Sequence, residues 1–235
     1  MNFMIAGKQK DRNDHILLPD IQSETIVEAY RVLRSNLLTL QQKQGIKTIL
    51  VTSAVAGEGK TTTAINLALS LKQAGQKVIL VDGNFRRGNI AERLDFPKEQ
   101  QGLINVLKGE IALTSAIVSA GKVEDLKILP KGISESFTSD AIDFEKLNGI
   151  LNELKADYDW VVMDSAPASF SDTLMMAGAV DGVLLCIRQY ASAQDEVKQA
   201  LLQLQNAGGN VIGTAMTRVD LKVEDTAKRL YAKQI

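Results

Sequence analysis

The chain has one cysteine, one histidine and four prolines among 235 residues, and only 5% of it is aromatic. A lone Cys186 excludes an internal disulfide, and its place in the run Gly182-Val183-Leu184-Leu185-Cys186-Ile187 marks it as a buried thiol. His15 stands alone in a polar stretch, so neither a histidine-based triad nor a zinc cluster is supported. No window approaches the ~20 apolar residues that span a bilayer. The opening residues, Met1 to Lys8, lack an apolar stretch followed by a cleavage site, so the expected compartment is the cytoplasm. A formal net charge of -1 gives no bulk electrostatic basis for capturing nucleic acid or anionic membrane, and no nucleic-acid partner is expected. Scarce proline and the lack of low-complexity tracts leave no inter-domain linker.

What is present is alternation. Residues 1–22 are polar and aperiodic and read as a flexible arm, with residues 23–235 as a single domain. After Ser23-Glu24, apolar residues recur at three- and four-residue steps (Ile26, Ala29, Tyr30, Leu33, Leu37, Leu40), which predicts an amphipathic helix. Short apolar runs then alternate with helical patterns. Strands are expected at Thr48 to Ser53, Lys77 to Asp82, Leu126 to Leu129, Trp160 to Asp164, Gly182 to Ile187 and Asn210 to Thr217. Helices are expected near 60–74, 102–108, 142–156, 172–179, 192–207 and 222–233, with Gly75, Gly208 and Gly209 as stops and Ser192 as an N-cap. This order predicts an α/β fold, a mostly parallel sheet with helices on both faces and ligands at the carboxyl ends of the strands.

One junction carries chemistry. The apolar run Ile49-Leu50-Val51 passes through Ser53-Ala54-Val55-Ala56-Gly57-Glu58-Gly59-Lys60-Thr61-Thr62 into a helical pattern. A strand that turns through glycines into a helix leaves several backbone N–H groups unpaired where the helix dipole is positive, which suits a phosphate chain. Lys60 is placed to reach the β- and γ-phosphates and the Thr61 hydroxyl to face Mg2+. Ala54 stands where the phosphate-loop pattern G-x-x-x-x-G-K-[ST] has its first glycine, so the match rests on the strand, on Gly57 and Gly59, and on the helix. The expected nucleotide cradle is Ala56, Gly57, Glu58, Gly59, Lys60, Thr61 and Thr62, with ATP and Mg2+ as ligands.

An NTPase also needs carboxylates at neighbouring strand ends. Val78-Ile79-Leu80-Val81-Asp82 and Trp160-Val161-Val162-Met163-Asp164 both end an apolar run on an aspartate, on the sheet edge expected to carry Lys60. Alone, each aspartate reads equally well as a loop or cap residue; together beside Gly59-Lys60-Thr61 they read as Mg2+ ligands and proton handlers. Arg86 and Arg87 follow Asp82 closely and could touch phosphate, pair with a neighbouring subunit or sit in water. Trp160 reads as packing.

At this point the chain resembles the bacterial tyrosine kinases of capsule and exopolysaccharide synthesis, within the MinD/ParA-like P-loop ATPases. The resemblance runs from about Glu28 to Asp220. It is carried by Glu28-Ala29-Tyr30-Arg31-Val32-Leu33-Arg34 (the ExxRxxR helix), Gly57 through Thr62, Asp82 with Arg86-Arg87, Gly102-Leu103-Ile104-Asn105-Val106-Leu107 and Tyr158 through Asp164. The lysine that the cell-division and plasmid-partition relatives carry early in the loop is missing; Val55 and Ala56 stand there. The resemblance implies a three-layer P-loop fold and an ATP- and Mg2+-dependent protein-tyrosine kinase that works with a membrane-embedded activator, a polysaccharide co-polymerase, at the inner face of the membrane. By matching position, Lys60 polarises phosphate, Thr61 and Asp164 hold Mg2+, and Asp82 takes the proton of the attacking tyrosine. Glu28, Arg31 and Arg34 join copies into a ring.

Three departures stand out. Asn84 replaces the second aspartate of the D-x-D segment, removing a charge that would help bind metal or activate the hydroxyl. Ala56 replaces a proline of the loop. The tyrosine-rich tail is reduced to Tyr231, the expected phosphoacceptor. Two alternatives therefore stay open: an ATPase of the MinD/ParA type, or a nucleotide-dependent scaffold of the export machinery.

Overall fold

The computed structural model describes the backbone of residues 2–6 and then residues 24–219, apart from 89, 98–99, 120–122, 124–125 and 134–141. Among the described residues, eight strands form one sheet: β1 (Asn2–Ala6), β2 (Thr48–Ser53), β3 (Val78–Asp82), β4 (Val118–Ser119), β5 (Lys127–Leu129), β6 (Trp160–Asp164), β7 (Gly182–Arg188) and β8 (Val211–Val219), in the order β1-β8-β7-β2-β6-β3-β5-β4. All neighbours are parallel except β4 and β5. The α/β architecture expected from alternation is therefore present, as continuous apolar runs such as Val78-Ile79-Leu80-Val81 require when both faces of a strand are covered.

Each central strand divides its side chains between two cores. Ile49, Val51, Leu80, Trp160, Val162 and Leu184 face one cluster, and Leu50, Ile79, Val81, Val161, Met163 and Leu185 face the other. The first cluster is roofed by α1 (Glu24–Gln44), α2 (Lys60–Gln73) and α3 (Ile90–Leu94). Buried residues of α4 (Leu103–Leu107), α5 (Leu113–Ala116), α6 (Phe144–Asp157), α7 (Ser171–Ala179) and α8 (Gln194–Asn206) close the second. On α1, Ile26, Tyr30, Leu33 and Leu37 form one buried stripe, which is the three- and four-residue spacing expressed as packing. Trp160 is fully buried, as its place in an apolar strand predicts.

Several local expectations change. The arm expected over 1–22 contains a strand: Asn2, Phe3 and Met4 pair with Thr214, Ala215 and Met216 of β8. The run Phe3-Met4-Ile5-Ala6 supplies a short apolar segment, and the outer edge of β8 supplies the unpaired backbone groups that it satisfies. The helix expected at 222–233, and Tyr231 within it, lie outside the described residues. Three short elements, α3, α5 and β4, were not expected, because four- or five-residue helices and two-residue strands are too short to show a period. Gly75 and Gly208 follow their helices with φ of 79° and 81°, the left-handed geometry of a C-terminal stop. Ser192 is not the cap of α8; Ala193 holds that position, with its N–H donating to Glu196 Oε2 at 3.1 Å.

The loop leading into α4 is tightly closed. Asn105 Oδ1 accepts from the N–H groups of Gly102 (3.0 Å) and Ile133 (3.1 Å), so one buried amide ties α4 to the segment after β5. A Cβ on Gly102 would overlap the Pro130 carbonyl oxygen and lie 2.6 Å from the Gly132 nitrogen. Gly102→Ala is therefore expected to destabilise the protein by about 1–3 kcal/mol, seen as a lowered Tm in thermal unfolding.

Candidate nucleotide site

The carboxyl ends of β2, β6 and β3 lie side by side, with Val51 opposite Asp164 and Asp164 opposite Asp82 in register. The turn after β2 bends through Gly57 (φ 83°) and Gly59 (φ 86°), and a Cβ at Gly57 would meet nothing within 4 Å, so the loop is open to a ligand there. Its shape is held from inside by Glu58, which is 1% exposed. The Glu58 carboxylate accepts from the Val55 N–H (3.0 Å), the Arg188 N–H (3.4 Å) and the Ser192 hydroxyl, while its carbonyl accepts from the Thr217 hydroxyl (2.8 Å). Glu58, expected in the cradle, thus acts as an internal strut: its carboxylate joins the loop to the end of β7 and its backbone carbonyl joins it to β8.

Lys60 opens α2 and is 7% exposed. Burial lowers the pKa of its ammonium, opposed by the charge of Asp164. The Thr61 hydroxyl donates to Asp164 Oδ2 at 2.7 Å, and the other carboxylate oxygen, Oδ1, is buried and accepts no hydrogen bond. Asp82 accepts from the Asn84 N–H at 3.2 Å. A Cβ on Gly88 would lie 2.6 Å and 2.8 Å from its two carboxylate oxygens. Burial raises both carboxyls, Asp82 to about 7 and Asp164 to about 6, and the charge of Asp164 adds to the effect on Asp82. An oxygen with no donor, two adjacent acidic groups and a threonine hydroxyl form a donor set that fits a hard divalent cation such as Mg2+.

Further residues converge on the site without having been expected there. Arg93 Nη1 donates to Thr62 Oγ1 at 3.0 Å, and its charge holds Asp164 down against burial. Lys131 does the same for Asp82. Lys131 follows β5 by two residues, so the strand-end rule that found Asp82 could have found it. Arg93 had no such signal, because α3 has no detectable period. Arg86 is held within its own chain, 3.4 Å from Asp172 Oδ1 and 4.1 Å above the Phe170 ring, while the Arg87 side chain is exposed. Asn84 is 8% exposed, and its side-chain oxygen accepts from the Arg87 N–H at 3.1 Å, so it shapes the turn that leads to this pair.

The three helix residues separate. Glu28 and Arg31 form an exposed ion pair at 3.4 Å, whereas Arg34 Nη1 donates to the Ser70 carbonyl at 2.8 Å and so fastens α1 to α2. Among the described residues, no helix is long and apolar enough to cross a membrane.

A parallel sheet with a glycine loop, an N-terminal helix lysine and two strand-end aspartates defines a P-loop ATPase-type domain, and residues 46–211 match the AAA domain family AAA_31. The chain belongs to that family. Within it, the chain is a member of the bacterial tyrosine-kinase family: it is 30% identical over 216 residues to the putative tyrosine-protein kinase CapB of Staphylococcus aureus, covering 92% of this chain and 94% of that protein. The tyrosine-protein kinase YwqD of Bacillus subtilis is 28% identical over 190 residues, covering 80% and 79%. Among solved structures, the kinase domain of Escherichia coli tyrosine kinase ETK shares the fold (TM-score 0.82, 23% identity, 93% of this chain and 91% of that one). The chimerical protein CapA2B2 aligns with TM-score 0.81 at 25% identity over 92% of this chain and 93% of that one. The septum site-determining protein MinD of Pyrococcus horikoshii, complexed with Mg-ADP, aligns with TM-score 0.61 at 27% identity over 72% of this chain and 68% of that one.

Proposed function

We propose that this chain is an ATP- and Mg2+-dependent protein-tyrosine kinase that regulates capsular or exopolysaccharide synthesis. The observation that carries the reading is the placement of Asp82 beside Asp164, with Thr61 on Asp164 and Lys60 at the start of the same helix. Phosphoryl transfer needs little covalent help from a protein; it needs positioning and charge. The loop from Ala56 to Thr62 holds the phosphates through its backbone N–H groups, and Lys60 draws charge off the transferred phosphoryl group. Thr61, Asp164 and Asp82 hold Mg2+, which supplies neutralisation of the phosphate oxygens when bound. Asp82, whose carboxyl burial raises to about 7 before a cation binds and which Mg2+ would keep ionised, accepts the proton of the incoming tyrosine hydroxyl.

Nothing in the roles assigned to these residues needs a second D-x-D carboxylate. Asn84 shapes a turn, and its backbone N–H serves Asp82. In this reading the partners are a membrane-embedded activator, tyrosine-containing proteins and further copies of the chain in a ring at the inner membrane face, with Glu28 and Arg31 as exposed contacts and Tyr231 as an acceptor. The test incubates the chain with Mg2+, ATP and a glutamate–tyrosine copolymer: phosphotyrosine is expected. Phosphate release without phosphotyrosine would instead establish the MinD-like ATPase reading.

Proton linkage gives a second measurement. A carboxyl with a raised pKa must lose its proton to receive a cation, so Mg2+ binding is expected to tighten as pH rises through about 6 and about 7. Calorimetry in buffers of different ionisation enthalpy should register proton release at pH 6 that fades by pH 8.

A further inference from the structure

The chain has four tyrosines: Tyr30, Tyr158, Tyr190 and Tyr231. Tyr30 is 1% exposed and Tyr158 is half-buried, and burial raises the hydroxyl pKa of both. Tyr231 lies outside the described residues. Tyr190 is 89% exposed, well above Leu202 at 59%.

Its surroundings are rigid although its ring is in water. Tyr190 sits at the apex of the turn that leaves β7. The Ala191 and Ser192 N–H groups donate to the Arg188 carbonyl at 3.3 and 3.4 Å, and the Arg188 N–H donates to Ser192 Oγ at 3.3 Å. The Gln189 N–H donates to the Thr217 carbonyl at 3.1 Å. Beneath the turn, the buried Glu58 carboxylate receives the Ser192 hydroxyl and the Arg188 N–H, tying the turn to the phosphate loop. At the apex Tyr190 has φ 59°, a conformation that glycine or asparagine adopts readily and that costs a bulky residue about 1–3 kcal/mol. An aromatic ring that is neither packed nor suited to its turn gains nothing for the fold; what it gains is presentation.

We infer that Tyr190 is a phosphoacceptor of this chain, presented by the turn at residues 188–192 to the catalytic site of a second copy. The inference rests on the kinase reading above. The strand order β7-β2-β6-β3 disfavours transfer within one copy: three spacings of about 4.8 Å place Asp82 roughly 14 Å across the sheet from the strand that carries the turn, and the hydrogen bonds of the turn to Glu58 and Thr217 hold it on its own side. In the transfer, Tyr190 Oη forms a bond to the γ-phosphorus of ATP held by the second copy as the bond from that phosphorus to the bridging β-phosphate oxygen breaks. The phenol proton passes to the second copy's Asp82, and ADP leaves.

The experiment mixes unlabelled wild-type chain with an isotopically labelled Lys60→Met copy, in the presence of Mg2+, ATP and the glutamate–tyrosine copolymer, and maps phosphate by peptide mass spectrometry. The labelled copy should carry phosphate on Tyr190. Introducing Tyr190→Phe into that copy should reduce phosphate on the peptide to background while leaving copolymer phosphorylation unchanged. Phosphorylated copolymer with Tyr190 unmodified overturns the inference and leaves the kinase reading standing. Phosphate on Tyr190 of the unlabelled chain alone overturns transfer between copies. No phosphotyrosine on the copolymer or on either chain overturns the kinase reading and this inference with it.

Discussion

Lys60→Met should lower the rate of ATP-dependent phosphotyrosine formation by about 10²–10³-fold, the usual cost of removing one preorganised group that stabilises transition-state charge. The physical case rests on burial. Lys60 is 7% exposed and its charge is balanced mainly by Asp164, so water cannot replace the lost ammonium when the phosphoryl group accumulates charge. Methionine keeps the unbranched stem and the packing at the start of α2, so the far-ultraviolet circular dichroism should match that of the wild type. An initial-rate assay on the copolymer at saturating Mg2+·ATP provides the measurement, and an unchanged rate would remove Lys60 from the mechanism.

The second large effect concerns Asp82. Asp82→Asn keeps the shape but cannot accept a proton, and the rate should fall by about 10²–10⁴-fold, the contribution of a general base. The pH profiles separate this role from a structural one. At limiting Mg2+, wild-type activity should climb as pH rises through about 7, because only the ionised carboxylate receives the cation and takes the tyrosine proton; saturating Mg2+ should move the climb to lower pH, and the residual activity of Asp82→Asn should lack it. Stability should move the opposite way. The folded protein raises the Asp82 pKa above its unfolded value, so the stability linked to that proton is present at low pH and is lost as pH rises through about 7. Without ligand, Asp82→Asn should therefore melt close to the wild type in acid and above it at pH 8. An inactive variant that is more heat-stable at pH 8 identifies Asp82 as a group kept at a cost to the fold for the sake of chemistry.

Much of the fold was legible because its central strands are short and apolar, and those around the loop and the two aspartates are flanked by helices long enough to show a period. A run such as Val78-Ile79-Leu80-Val81-Asp82 announces both a doubly covered strand and the polar residue at its end. The two aspartates were read from their places at strand ends and Lys60 from the glycine loop, and a parallel sheet delivers all three to one edge. Asn2–Ala6 was misread as part of an arm because five residues beside a polar stretch carry little pattern, and the pairing partner, β8, lies more than 200 residues away in the chain. Arg93 was illegible for a related reason: a five-residue helix shows no period, and nothing local to Arg93 reports that Thr62 and Asp164 lie opposite.

Asn84 and Arg34 show where pattern and geometry part. By resemblance, Asn84 reads as a missing charge; in the fold its amide oxygen accepts the Arg87 N–H and its backbone serves Asp82. Arg34 reads as one of three contacts on a charged helix face, yet it is spent on the Ser70 carbonyl of α2.

From sequence alone came the alternation of the longer strands and helices, the phosphate loop from Gly57 to Thr62 and the aspartates that end two strands, because these follow from local periodicity and from residue types next to one another. Only the tertiary structure decided that Glu58 turns inward to brace the loop against β7 and β8, that Lys131 and Arg93 bring charge to the two carboxyls, and that Tyr190 stands out from its turn. Each of those depends on the distance between residues far apart in the chain, and such distances are set by the packing of the whole sheet.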